Sequence, residues 1–174
     1  MLKTGAAVSI ACAMVLAANL RGNAMSQEAD ILQRLTPPPT ALPASCRLRP
    51  AIGKDALYGH NPAIVTDSVS ISIVHMYATG AGVAAERPVA AGYTASYLEE
   101  GGSPQIGVYA LRFRRDLTTP ETETFQKSYG GGSTVFRLVK GAVAIYAYTN
   151  ARRDAPDRGC FDALKKHLEA VDLK

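Results

Sequence analysis

Three cysteines occur in 174 residues, and the setting of the first decides how the other two constrain the fold. Cys12 lies inside an apolar run, Ala6 to Leu20, preceded by Lys3 and followed by Arg21 and the small residues Gly22-Asn23-Ala24. A basic start, roughly 7–15 apolar residues and a small-residue cleavage site make a secretory leader. We read residues 1–24 as a signal peptide removed after Ala24. Cys46 and Cys160 then remain, an even pair in a compartment that permits a disulfide. Their bridge would tie the start of the folded unit to the start of its last helix. In the chain-entropy model, closing so long a loop contributes on the order of 4–5 kcal/mol.

Three rival readings are weaker. An uncleaved anchor with Leu20-Arg21 as a stop would have to span on a run shorter than the about 20 residues a bilayer requires. Lipid attachment at Cys12 meets Ser9, where an aliphatic residue is usual. A reactive Cys160, activated by a helix start and Arg158, finds no Cys-x-x-Cys partner. The expected location is periplasmic or secreted, with membrane contact only through an uncleaved leader. Loss of Lys3 and Arg21 removes two of the 19 basic residues set against 15 acids, halving the formal net charge of +4. A charge so small is no nucleic-acid footprint.

Residues 25–45 read as a short helix and a proline-rich spacer, and residues 46–174 as one α+β domain. Glu28–Leu35 carries Ile31, Leu32 and Leu35 on one side. Thr36–Ser45 holds Pro37, Pro38, Pro39 and Pro43, which enforce extended chain. Cys46–Arg49 reads as a short strand ended by Pro50, and Gly53, Gly59, Asn61 and Pro62 mark turns. Asp67–Gly80 suits both periods. Val69, Ile71 and Ile73 alternate with serines, whereas Val69, Ile73, Met76 and Tyr77 share a helix face between a capping Asp67 and a terminating Gly80. We read helix.

Pro88–Glu100 reads as helix, with Val89, Tyr93 and Tyr97 on one side and Gly101-Gly102 as its end. Gln105–Arg115 reads as a strand buried on both faces at its start. Thr119-Pro120-Glu121 begins a helix carrying Phe125 and Tyr129 inward and ending at Gly130–Gly132. Ser133–Val139 and Ala142–Thr149 form a hairpin about Lys140-Gly141. That loop pairs Leu138 with Val143 and Phe136 with Ile145 on one face, leaving Val135, Arg137, Tyr146 and Tyr148 on the other. Pro156 and Asp157 introduce the last helix, Cys160–Val171, with Phe161, Leu164, Leu168 and Val171 as its stripe. The expected architecture is a mainly antiparallel sheet with helices packed on one face, containing a ferredoxin-like β-α-β-β-α portion.

No metal template fits His60, His75 and His167, which share no short ligand spacing. No Gly-x-Ser-x-Gly elbow serves hydrolysis, and the Gly130–Gly132 run lacks the Lys-Ser/Thr of a phosphate loop. We expect no cofactor. His60, in a polar turn, is the first suspect if a catalytic site exists. The remaining signal is a surface one: Arg137, Tyr146 and Tyr148 on one hairpin face, with Arg112 and Arg114 placed to join them across the sheet. Tyrosine with arginine is typical of binding surfaces. The expected function is therefore an exported, non-catalytic domain that binds an envelope protein or small ligand through an open sheet face. A small secreted enzyme centred near His60 is the second reading.

Overall fold

A computed structural model of the chain describes residues 27–51, 59–79, 88–99, 101–102, 104–127, 134–151 and 159–173. Its centre is a six-stranded antiparallel sheet: β1 (Arg47–Leu48), β2 (Ala63–Val65), β3 (Val89–Leu98), β4 (Gln105–Phe113), β5 (Thr134–Lys140) and β6 (Val143–Thr149). The strand order is β1-β3-β4-β6-β5, and β2 pairs with the same edge of β3 as β1. Four helices flank it: α1 (residues 27–33), α2 (Ser68–Thr79), α3 (Thr119–Lys127) and α4 (Gly159–Ala170). The class is α+β.

Two apolar clusters divide along the two faces of the sheet. On the first face, Ala91, Tyr93, Ala95 and Tyr97 of β3, Ile106, Val108 and Ala110 of β4 and Val143, Ile145 and Ala147 of β6 pack with α1 and α4. On the second, Leu111 and Phe113 of β4 and Ala144 of β6 pack with Val74 and Ala78 of α2 and Phe125 of α3. The helices thus lie on both faces, where the sequence reading placed them on one. A sheet whose alternate positions are apolar in both phases has two faces to cover. The run β4-α3-β5-β6-α4 keeps the strand order of a split β-α-β unit, with β6 between β4 and β5. Its helices nevertheless sit on opposite faces, unlike a ferredoxin-like packing.

Local signals explain the elements. Asp67 caps α2, its Oδ1 accepting the Ser70 N–H at 2.9 Å; Ser70 holds that carboxyl below its ordinary range. At α3, Glu121 reaches back to the Thr118 N–H at 2.8 Å, the reciprocal half of a capping box. α1 ends in turns from Leu35 N–H to Leu32 O and Thr36 N–H to Gln33 O, just before Pro37 stops the helix. Ile31, Leu32 and Leu35 are 5 %, 0 % and 1 % exposed, so α1 belongs to the core rather than preceding it. The proline segment is extended only in part, since Pro39–Ala41 form a 3-10 turn.

Two further sequence readings change. Residues 89–98 form a strand rather than a helix. Tyr93 and Tyr97 lie four apart, a spacing that serves a helix face and one side of a strand equally; Ala91 and Ala95, both buried, complete the period of two, while Val89, across an irregularity in the register, packs on the second face. In the hairpin the turn is Gly141-Ala142 and Leu138 faces Ile145. Gly141 takes φ +56°, a value glycine adopts freely in a two-residue loop. The register moves by two residues against the expected one, so every side chain keeps its face.

The disulfide joins Cys46 to Cys160 across 114 positions, with Cα atoms 5.2 Å apart. It is the form an oxidising compartment permits. Among the described residues no helix is long and apolar enough to cross a membrane. Residues 1–24, read as the leader, lie outside the described residues, as do Gly53, Gly80, Tyr129, Gly130–Gly132 and residues 156–158.

Candidate functional site

On the second face of the sheet, strand register lines up a row of side chains. Thr94 of β3 faces Tyr109 of β4, Tyr109 faces Tyr146 of β6, and Tyr146 faces Arg137 of β5. One step along, Gly107 faces Tyr148 and Tyr148 faces Val135. The rings meet nearly parallel. Tyr109 and Tyr148 lie 6.2 Å apart between centroids at 6°, and Tyr146 and Tyr148 6.0 Å apart at 29°. Tyr77 of α2 comes down from above onto Tyr109, at 5.2 Å and 11°. Offset aromatic pairs of this kind contribute about 0.5–1.5 kcal/mol each beyond their buried area.

Two glycines make the arrangement possible. A Cβ on Gly107 would come within 2.2 Å of the Tyr148 Cε1, so the bare backbone is the bed on which that ring lies. A Cβ on Gly92 would reach Val65 at 3.0 Å and Val74 at 3.3 Å; its absence lets α2 close onto β3. Burial raises the Tyr109 hydroxyl pKa first of all, with the neighbouring Tyr148 and Tyr77 adding to it. The phenol stays protonated and a donor. Burial also raises Tyr146, while the charge of Arg137 acts against that rise. The Arg137 guanidinium sits 5.0 Å from the Tyr146 ring centroid, a cation–π distance. Its Nε is buried without a hydrogen-bond partner among the described residues.

The face is therefore roofed at its β3–β4 end, not open. Between the roof and the far edge of β3 lies a cleft of ≈ 210 Å³, lined by Tyr77, Tyr109 and Tyr148 and by Arg49, His60, Asn61 and Gln105 among others. Asn61 builds its floor. Between β1 and β2 the Ser96 carbonyl accepts the Arg49 N–H at 2.9 Å, and the Asn61 side chain completes the join. Its Oδ1 accepts the Ser96 N–H at 2.9 Å, and its Nδ2 donates to Ser96 O and Arg49 O at 2.7 Å each. The Asn61–Pro62 peptide bond is cis. This side-chain splice sets Arg49 and His60 at the rim.

The structure brings Arg137, Tyr146 and Tyr148 together, as read from the hairpin. It separates Arg112 and Arg114 from them. Arg112 shares the phase of Val108 and Ala110 and points to the first face, where its Nε donates to Glu28 Oε2 of α1 at 2.5 Å. Arg114 lies exposed beyond the end of β4, beside Pro88. Arg112, at an even position, is on the wrong side of the pleat for the tyrosine row, and Arg114 lies past the strand's end. Sequence reasoning missed Tyr77, Tyr109 and Arg49. Tyr109 carried a signal, since its odd position in β4 faces Tyr146 once the two strands pair.

Of the other histidines, His167 Nε2 lies 3.0 Å from the Arg34 carbonyl, tying α4 to α1. Among the described residues no group of three or more His, Cys, Asp or Glu is placed to hold a metal ion. Comparison of the chain with protein-family models, with curated proteins and with solved structures finds no match in any of the three.

Proposed function

We propose that this chain is an exported, non-catalytic domain that binds a small ligand in the cleft between the tyrosine row and the Asn61 turn. The observation that carries this reading is the convergence of Tyr77, Tyr109 and Tyr148 with Arg49 and His60 on one concavity. Ligand sites are concave and largely apolar, with a few converging polar groups. Export is supported by the leader-like start of the sequence and by a disulfide, which needs an oxidising compartment. Tyr146 and Arg137 support the rings from the side and belong to the same surface.

The second reading, a small secreted enzyme, draws on one observation: His60 lines this same cleft. One experiment separates the two. Tyrosine and histidine ring resonances are followed by NMR while a library of small polar metabolites is added, and the ligand is assayed afterwards. The binding reading expects shifts confined to Tyr77, Tyr109, Tyr148 and His60, with the ligand recovered unchanged. Shifts confined to other parts of the fold refute it. Consumption of the ligand that His60→Ala abolishes at unchanged Tm replaces it with the enzyme reading.

A further inference from the structure

We propose that the free edge of β5 takes up an extended segment of another protein as an added antiparallel strand, with an acidic residue of that segment opposite Arg137. The two edges of the sheet differ. Beside β3 lie the short strands β1 and β2, two and three residues long, with the Asn61 side chain joining them. On the other side β5 ends the sheet as seven residues, Thr134–Lys140, without proline, glycine or a shift of register. Exposed edges are ordinarily kept short, bulged, charged or covered, because their main chain can pair with another.

The hydrogen-bond phase fixes which groups are left over. Ala142 O accepts the Phe113 N–H and the Asn150 N–H donates to Gln105 O, so the even positions of β6 bond to β4 and its odd positions to β5. Those odd positions, Val143, Ile145 and Ala147, face Lys140, Leu138 and Phe136. Val135, Arg137 and Val139 therefore turn their N–H and C=O groups away from β6. Among the described residues no other main-chain group bonds them. Residues 135–140 are all half-buried, whereas residues 143–145, 147 and 149 of β6 are buried.

The side chains then name the guest. A guest residue directly opposite Arg137 lies beside it on the second face. The Arg137 Nε is buried with no hydrogen-bond partner among the described residues, and its guanidinium rests on the Tyr146 ring. The acids of α3, which packs against β5, are already paired, Glu121 with Arg115 and Glu123 with Lys127. A second copy centred on this edge would set Arg137 against Arg137, and like charges directly opposite disfavour the contact. A carboxylate there forms a charged hydrogen bond instead. Val135 and Val139 on one face, with Phe136 and Leu138 on the other, suit apolar residues on both sides of the acid.

The test uses a capped peptide, Ser-Thr-Val-Ile-Glu-Ile-Val-Thr-Ser, with the exchange of β5 amide hydrogens as the reporter. In the free protein Phe136, Leu138 and Lys140 should exchange slowly, and Val135, Arg137 and Val139 quickly. Saturating peptide should slow those three by roughly tenfold or more. Gln in place of the central Glu should weaken binding roughly tenfold, as loss of a charged hydrogen bond does, and Lys should weaken it further. Arg137→Glu should reverse that order in favour of the Lys peptide, with its Tm showing that it folds. N-methylation of the central Glu, whose amide meets Arg137, should abolish binding. N-methylation of the Ile beside it, whose amide points away, should be tolerated. Slow exchange of Arg137 and Val139 in the free protein at every concentration means a covered edge and overturns the proposal. Slow exchange that sets in only as protein concentration rises, with the mass of a dimer, gives the edge to a second copy and overturns it too. So does equal affinity for the Glu, Gln and Lys peptides, or no slowing at millimolar peptide.

Discussion

Cutting the Cys46–Cys160 bridge tests the frame that holds the site. The cysteines are 114 positions apart, and a loop of that length corresponds to about 16 cal/mol/K of denatured-state entropy, or about 5 kcal/mol at 25 °C. For a domain of this size that shifts Tm by roughly 10–20 °C. Both sulfurs are buried, Cys160 at 0 % and Cys46 at 8 % exposure, so each alanine substitution adds on the order of 1 kcal/mol of lost apolar burial. The start of α4 has a second support, because the buried Glu99 Oε1 accepts the Cys160 N–H at 2.8 Å. The substitutions therefore remove the cross-link without unmaking the helix end. Non-reducing melts should show Cys46→Ala and Cys160→Ala destabilised to within about 1 kcal/mol of each other, with the double variant no more than about 1 kcal/mol below either. Reductant should move the wild type to the same level and leave the double variant unchanged. A double variant that loses the sum of the two singles would refute a shared bond, as would a wild-type midpoint indifferent to reductant.

Two further outcomes follow from the interior. Gly107→Ala should destabilise by about 1–3 kcal/mol, the cost of overpacking, and push the Tyr148 ring off its bed; retained Tyr109–Tyr148 ring contacts by NMR would contradict the geometry. Alkaline pH should unfold the chain early. Burial pushes Tyr93 from 10.0 up to about 12, and raises Tyr97 and Tyr109 as well. A raised folded-state pKa means the folded chain holds the proton more tightly, so the stability is full below pH 10 and is lost as pH rises from 10 toward 12. Tyr93 alone accounts for on the order of 3 kcal/mol across that window. Urea midpoints should fall steeply above pH 10, and flat midpoints to pH 12 would show these phenols are not buried.

The parts legible in the sequence were those whose period and end signals agreed. α2 was readable through Asp67 despite its isoleucines and serines, because a cap breaks a tie that periodicity leaves open. The helix start near Thr119 and the stripe of α4 carried similar marks. β3 was misread because its largest side chains sit four apart, and only the small Ala91 and Ala95 between them betray the shorter period. The hairpin turn was misplaced, yet the faces survived because the register moved by two. Arg112 had no such protection. Its phase is set within its own strand, and its partner Glu28 comes from a helix read as lying before the domain.

The site divides along the same line. Its hairpin half, Arg137, Tyr146 and Tyr148, follows from alternation within one local unit, which is what a single sequence encodes most directly. Its other half comes from three distant segments: Tyr77 at the end of α2, His60 in a turn and Arg49 at the end of β1. The Asn61 side chain ties the His60 turn to Arg49 and Ser96, and Tyr77 reaches the same place by stacking on Tyr109. No periodicity records such a splice, because it lies in one side chain rather than in a repeating pattern. That is why the tyrosine face and His60 looked like competing sites in the sequence. In the fold, His60, Tyr109 and Tyr148 line one cleft, so the two readings point to the same concavity.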